Sequence, residues 1–337
     1  MKTIKVKFID FWSGFNTLDN YIINILKEKY EVVLSDNPDY LFFSDFGRNV
    51  FSYDCIRIYI TCENLCPDFN ICDYGVGFEH IKYEDRYLRS PFYLHYEIYD
   101  SDLEKAATKH VFDRNEVLNS KTEFCSFVYS NKNVEGFRNA IFNALSKYRK
   151  VNSGGNAFNN IGYRVKDKIE FEKEHKFSIA CDNGSHSGYT TEKIMQSFAA
   201  QTIPVYWGNP TVETDYNPKA FINCNEYSTI EEIIDIIREI DNNDDLYLKI
   251  LSEPAFAPSF NIKDLKEEFK DFLFNILDQD FEKAFRRNRI FMAKLYERKL
   301  RRAKQVDDFV SIVTFRKIRK ILYDWRRYGF GKNKLKL

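Results

Sequence analysis

The sequence predicts an α/β protein made of two Rossmann-like domains in series, with a basic helical tail behind them. Three observations predict it. Apolar strand-like runs alternate with helix-spaced segments over residues 4–64, the order expected of a mainly parallel sheet. The alternation lapses and then restarts after Asn152-Ser153-Gly154-Gly155-Asn156, the strongest loop punctuation in the chain. From Phe281 onward the composition turns basic. The expected units are therefore residues 1–150, 151–280 and 281–337.

The elements follow in order. IKVKFIDFW reads as the first strand, ending at Phe11 and Trp12. Residues 18–30 carry Leu18, Tyr21, Ile22, Ile25 and Leu26 at helical spacing. EVVLSD, YLFFSDF and CIRIYITCEN read as strands. Residues 67–123 are less regular. FCSFVYSN has the pattern of a buried strand, and residues 136–148 that of a helix. After the glycine cluster come a helix in KIEFEKEHKF, a strand in FSIACDN, a helix in TTEKIMQSFAAQ and a strand in TIPVYWG. AFINCNEY is a further strand, and TIEEIIDIIREI an amphipathic helix. Open α/β sheets bind ligands at the carboxyl ends of their strands, so TCEN, YSN and CDN are the places to seek a site.

Composition narrows the class. The chain has 337 residues, 44% of them hydrophobic, and only 13 glycines. It can build real cores, and it is neither disordered nor collagen-like. Fifty basic residues balance fifty acidic ones, which on its face argues against strongly charged partners. The balance is a cancellation. Residues 281–337 hold 19 Lys/Arg and 5 Asp/Glu, a net of +14, leaving −14 on the rest. MKTIKVKFIDFW lacks the apolar stretch of a secretory leader. No run of about 18 apolar residues predicts a membrane-spanning helix. Seven cysteines, an odd number without a C-x-x-C pair, read as free thiols in a reducing cytosol. The Cys62/Cys66/Cys72 spacing fits no zinc pattern. Asp278-Gln279-Asp280, a formal D-x-D, reads as helix surface, so no metal site is expected.

The segment CDNGSHSGYTTEKIMQSFAAQTIPVYWGNP, from Cys181 to Pro210, carries the most chemistry. A strand ends at Asp182-Asn183, and a helix opens near Tyr189 with Thr190 or Thr191 as its N-cap. Glu192 and Lys193 fall in the first turn. Free N–H groups, the positive dipole end and a lysine suit a diphosphate, and Glu192 suits sugar hydroxyls. By itself this is also ordinary helix-capping chemistry. His186 in the same loop is a candidate donor contact, and Trp207 reads as packing beneath the site.

YTTEKI…TIPVYWG resembles the signature of the α1,3-fucosyltransferases, the family-ten glycosyltransferases that use GDP-fucose. ITCENLCPDFNICDYGVGFE, DRYLRSPFY, FCSFVYSN and SGGNAFNNIGYRVKDKIEFEKEHKFSIACDN resemble further blocks of that family, in the right order, across residues 4–227. The resemblance implies a GT-B architecture, with two Rossmann-like domains facing across a cleft. The acceptor would lie mostly on the first and GDP-fucose on the second. It implies Glu63 as general base of an inverting transfer to GlcNAc O3 of a Galβ1,4GlcNAc chain, as in bacterial Lewis-type surface glycans. It implies Asn183, Tyr189, Glu192 and Lys193 as donor residues. Phe11, Trp12 and Asn64 are the expected acceptor contacts. GDP-fucose is a substrate, and no cofactor is required, with divalent-metal stimulation left open. Acceptors with type-1 chains or glucose are the alternative. Two departures stand out. Asn156, Ala157 and Phe158 occupy a stretch where some relatives carry a phosphate-binding arginine, leaving Arg164 or Lys168 as replacements. Asp182 stands where many relatives have Glu.

In the tail, Phe315, Ile318, Ile321, Leu322 and Trp325 share one helical face, with Arg and Lys on the others. That is the pattern of a helix lying on anionic lipid. A cytoplasmic protein, peripheral on the inner membrane, is the resulting expectation. A homodimer remains open, and no nucleic-acid motif accompanies the basic charge.

Overall fold

Lysines alternate with Ile4, Val6 and Phe8 along the first strand, and the pleat buries the apolar set to 4% exposure or less. This strand heads a computed structural model that describes residues 1–108, 113–131 and 136–313. The first sheet contains β1 (Lys2–Ile9), β2 (Tyr30–Leu34), β3 (Tyr40–Phe43), β4 (Ile56–Ile60), β5 (Tyr74–Gly77) and β6 (Tyr87–Arg89). Its order is β2-β1-β3-β4-β5-β6, every pairing parallel. Helix α1 (Tyr21–Lys27) lies between β1 and β2. It starts later than the sequence pattern suggests, because the Asn20 side chain accepts from the N–H groups of Ile22 and Ile23, both at 3.1 Å. That cap leaves Leu18 outside the helix and 71% exposed.

The stretch from 100 to 120 forms α2 (Asp100–Ala107) and α3 (Arg114–Ser120). The second sheet then comprises β7 (Glu123–Phe127), β8 (Val151–Ser153), β9 (His175–Cys181), β10 (Ile203–Trp207) and β11 (Ile222–Asn223). Its order is β11-β10-β9-β7-β8, again fully parallel. Among its helices are α4 (Phe137–Tyr148), α5 (Lys168–Glu172) and α6 (Glu192–Ala199). Helix α7 (Ile230–Asp241) opens with a capping box between Thr229 and Glu232 and buries Ile233, Ile234, Ile237 and Ile240. Helix α8 (Asp244–Leu251) follows.

The boundary expected at residue 150 is wrong. β7 pairs with β8 and β9, so residues 123–148 belong to the second sheet. The glycine cluster follows edge strand β8, inside a βαβ repeat and not between domains. The boundary at 280 also moves. Helix α9 (Ile262–Asp278) returns to the first sheet and places Phe269, Phe272, Leu273, Ile276 and Leu277 in one core with Ile4, Val6 and Ile58. Asp278 is held there by Lys29 at 2.5 Å and by the Tyr30 hydroxyl at 2.8 Å, so the D-x-D carboxylate has a structural occupation.

The basic region is not simply appended. After α10 (Phe281–Ala284), Arg287 is fully buried and paired with Asp73. It also donates to the Cys55 carbonyl at 2.9 Å. In α11 (Phe291–Val313), Glu297 meets the buried Arg57 at 2.9 Å, and the Tyr296 hydroxyl donates to Asp68 at 2.8 Å. Breaking a buried pair by removing one partner costs about 3–5 kcal/mol. The start of the predicted tail is therefore a structural part of the first domain. The stretch bearing Phe315, Ile318, Ile321, Leu322 and Trp325 lies outside the described residues.

Candidate functional site

Parallel strands aim their carboxyl ends at one another across the gap between the sheets. β4 ends in Thr61-Cys62-Glu63, and β9 ends in Asp182-Asn183. A cavity of about 410 Å³ lies there, within the usual range for small-ligand sites. Trp12, Cys62, Glu63, Phe92, Tyr96 and Tyr99 line it from the first half, and Asn183, Tyr189, Thr191, Glu192 and Lys193 from the second.

The Glu63 loop is set by its neighbours. The Thr61 hydroxyl donates to Asp45 at 2.8 Å and accepts from the Glu63 N–H at 3.1 Å. Asp45 also accepts from the Cys62 N–H at 3.3 Å and from the Tyr59 hydroxyl. Backbone and hydroxyl thus fix where the carboxylate leaves the chain, while the side chain itself lies in an exposed loop.

The opposite wall is more deeply wired. Thr191 is the N-cap of α6, but its hydroxyl donates to the buried Asp182 and not to the helix N–H groups. It accepts from Lys193 Nζ at 3.0 Å. Tyr206 donates to the other Asp182 oxygen at 2.7 Å. Burial raises the Asp182 carboxyl to about 6, against the pull of Lys193 and its two donors. Burial is the largest single influence on Glu192 and Lys193 and disfavours both charges, yet the neighbouring charges and hydrogen bonds together outweigh it. Lys193 holds Glu192 below the ordinary carboxyl range, and Glu192, with Asp182, holds Lys193 above the ordinary lysine range. Both side chains still reach the cavity, 21% and 17% exposed.

Arg89 and the signature loop fasten the two walls together. Its guanidinium makes two parallel bonds to Asp215, at 2.9 and 2.7 Å, and a third to the Gly188 carbonyl at 3.3 Å. Gly188 has φ +87°, and a Cβ there would sit 2.1 Å from the Phe78 carbonyl oxygen. Only glycine allows the loop to approach the first domain this closely.

The structure gathers Glu63, Trp12, Asn183, Tyr189, Glu192 and Lys193 in one cavity. Tyr189 is only 2% exposed, its ring edge-on to Phe78 at 4.9 Å. Phe11 stands apart from these. It stacks on Phe15 at 4.0 Å and packs on the first core, and it is not among the cavity's lining residues. Trp12 packs on the same core, 5.1 Å from the Phe15 ring, but also lines the cavity. Asn64 faces the signature loop at Gly184 and not the cavity. His186 is half exposed, 3.9 Å from Glu79, and Trp207 stacks on Phe137 at 5.2 Å as a packing residue.

Sequence reading missed Tyr96, Tyr99, Cys62 and Thr191. The aromatic density of PFYLHYEIY was the available signal for the first two. Phe158 stacks on Phe142 at 4.8 Å. Of the replacement cations, Arg164 lies 3.4 Å from Ser130 just past the end of β7, and Lys168 lies 3.2 Å from Gln196 on α6. Among the described residues, no group of three His, Cys, Asp or Glu side chains is placed to hold a metal ion.

The α-(1,3)-fucosyltransferase FucT N-terminal domain matches residues 6–96, and the glycosyltransferase family 10 (fucosyltransferase) C-terminal domain matches residues 118–267. The chain belongs to glycosyltransferase family 10. The α-(1,3)-fucosyltransferase FucT of Helicobacter pylori is 36% identical over 262 residues, 68% of this chain and 55% of that protein. A putative fucosyltransferase, R654, of Acanthamoeba polyphaga mimivirus is 29% identical over 65% of this chain and 37% of that protein. The chain thus spans about half the length, or less, of these curated relatives. A solved α1,3-fucosyltransferase with GDP-fucose superposes with a TM-score of 0.67 at 28% identity, covering 83% of this chain and 93% of that one. The fold of this family 10 chain is accordingly GT-B. The two matched domains meet in the gap between residues 96 and 118, which agrees with β7 opening the second half and not with a boundary at 150.

Proposed function

We propose that the chain is an inverting α1,3-fucosyltransferase that moves L-fucose from GDP-fucose to the GlcNAc O3 of N-acetyllactosamine-type glycans. The observation that carries this reading is the placement of Glu63 and the Glu192–Lys193 pair on facing walls of one cleft. In a single displacement the acceptor oxygen attacks the anomeric carbon as the bond to GDP breaks. Glu63 takes the hydroxyl proton as the new bond forms. Lys193 and the α6 N–H groups balance charge growing on the leaving diphosphate. Glu192 accepts from ribose or fucose hydroxyls, Asn183 and Tyr189 border the nucleotide, and Lys168 or Arg164 supplies the second cation. Trp12, with Tyr96 edge-on at 5.3 Å, offers a face for the acceptor sugar.

The test is incubation with GDP-fucose and N-acetyllactosamine, followed by linkage analysis. A trisaccharide fucosylated at GlcNAc O3 is expected. No product with any acceptor in a panel including type-1 chains and lactose would overturn the activity, and fucose at another position would overturn the regiochemistry. A cytoplasmic location against the inner membrane belongs to the same proposal. No helix of the described residues is long and apolar enough to cross a membrane. Exposed Phe291, Met292 and Leu295 near basic Arg298 and Arg302 on α11 support contact with an anionic surface. Flotation with anionic vesicles tests it. Failure to float overturns it.

A further inference from the structure

A second cavity, of about 440 Å³, lies under α11 on the first domain. It shares two loops with the reaction cleft. Asp45 and Phe46 sit side by side, one lining each cavity, and the turn after β4 gives Cys62 and Glu63 to the cleft but Leu65 and Cys66 to the second cavity. Its apolar walls include Phe51, Tyr59, Leu65 and Ile71, roofed by Tyr296 and Leu300 of α11, and Arg48, which also lines it, has a partner of its own.

The carboxylates in the lining are already committed. Asp45 accepts from Tyr59, from Thr61 at 2.8 Å and from the Cys62 N–H at 3.3 Å. Asp68 accepts from the Asn70 N–H at 2.9 Å, from its side-chain amide at 2.8 Å and from the Tyr296 hydroxyl at 2.8 Å. A sugar placed here would bury hydroxyls against groups already engaged, and unpaired buried polar groups are costly. A hydrocarbon chain has no hydrogen bonds to lose by entering.

We propose that this cavity is an acceptor-side subsite for an apolar aglycone, a hydrocarbon chain carried at the reducing end of the acceptor sugar. The proposal rests on the transferase reading for its word "acceptor", but the cavity's preference is measurable without any transfer. Commitment to a hydrocarbon follows from the consumed polar groups. Its link to the acceptor follows from the loops shared with the Glu63 wall.

The experiment is calorimetric titration of the full chain, without GDP-fucose, by the methyl and hexyl β-glycosides of N-acetyllactosamine and by hexyl β-glucoside. Each buried methylene tightens binding about fourfold, so the hexyl disaccharide should bind at least about tenfold more tightly than the methyl one, even if only part of the chain is covered. Ala303, on the exposed side of the roof, gives the blocking variant. Ala303→Trp should erase the hexyl advantage and the weak binding of hexyl glucoside while leaving methyl-glycoside affinity alone. Leu300→Asn, which puts an amide in the wall, should reduce the same advantage.

Equal wild-type affinities for the two disaccharides would overturn the proposal, as would an equal loss for both in Ala303→Trp. If the hexyl advantage appears only after residues 314–337 are deleted, the cavity belongs to the chain's own C-terminus, and the proposal falls. Absence of fucose transfer with the hexyl preference intact would sink the transferase reading and leave the apolar subsite standing.

Discussion

Glu63 and Lys193 face the same cleft, but their surroundings have little in common. Glu63 stands on an exposed loop whose backbone is placed by Thr61 and Asp45. Lys193 ends a chain of three side chains, Asp182–Thr191–Lys193, whose carboxylate is fully buried. The first wall carries its carboxylate on a solvent-accessible loop. The second is assembled in advance around one charge pattern. Preorganised charge in a partly dry site is worth more than the same charge in water; under the proposed function the rigid wall would serve the constant donor and the open wall the acceptor.

The largest effect should come from the open wall. Glu63→Gln keeps shape and hydrogen bonding but cannot take a proton. General-base loss is worth roughly 10²–10⁴ in rate, so kcat should fall by that much while calorimetry shows unchanged GDP affinity. A matching loss of GDP affinity would place Glu63 on the donor side and dissolve the contrast.

Next is the clasp that keeps the walls in register. Arg89→Met leaves Asp215, 2% exposed, as a buried charge without its fork. A loss of about 3 kcal/mol or more is expected from urea unfolding. Arg89→Lys should recover only part of it, because an ammonium cannot make the two parallel bonds. If both variants unfold like the parent, the walls are held by packing alone.

A third prediction concerns pH. The Asp182 carboxyl is raised to about 6 in the folded protein, above its ordinary value of about 3.9 in an unfolded chain. The folded state therefore holds the proton more tightly across that window. Its contribution is fully present below about pH 4 and is lost as pH rises through about 6, by about 3 kcal/mol at most. Asp182→Asn should flatten the slope of stability against pH between those values. An unchanged slope would show that Lys193 and the two hydroxyls keep Asp182 ionised throughout.

The contrast between the walls also governs what could be read from sequence. Strand and helix order was legible because β1, β4 and α7 carry clean periodicities and α7 a capping box. The second wall was legible too, since Glu192 and Lys193 lie in one helical turn close behind the strand that ends at Asp182. Domain limits were not legible. Nothing local in IKDLKEEFKDFLFNILD says that α9 crosses back to the first sheet, and the glycines at 154–155 mark a tight approach. A Cβ on Gly155 would lie 2.1 Å from the Tyr129 carbonyl oxygen. Phe11 and Trp12 look equivalent in sequence and both pack on the first core, yet of the two it is Trp12 that lines the cavity. Tyr96 and Tyr99 come to the cleft through short 3-10 turns whose direction no periodicity encodes.

The smallest effect tests the wired wall most sharply. Thr191→Val keeps the shape but removes both the bond to Asp182 and the acceptor for Lys193. Because Thr191 makes no side-chain cap to α6, helix stability should change little. Hydrogen bonds to charged groups contribute about 1.5–3 kcal/mol. Misplacing the ammonium should therefore weaken GDP binding by about tenfold or more, with the effect on kcat smaller than that of Glu63→Gln. Thr191→Ser should restore affinity, since only the hydroxyl is needed. If Thr191→Val lowers the melting temperature and leaves GDP affinity intact, the Asp182–Thr191 bond supports the fold of the loop and not the charge, and the second wall would be no more preorganised than the first.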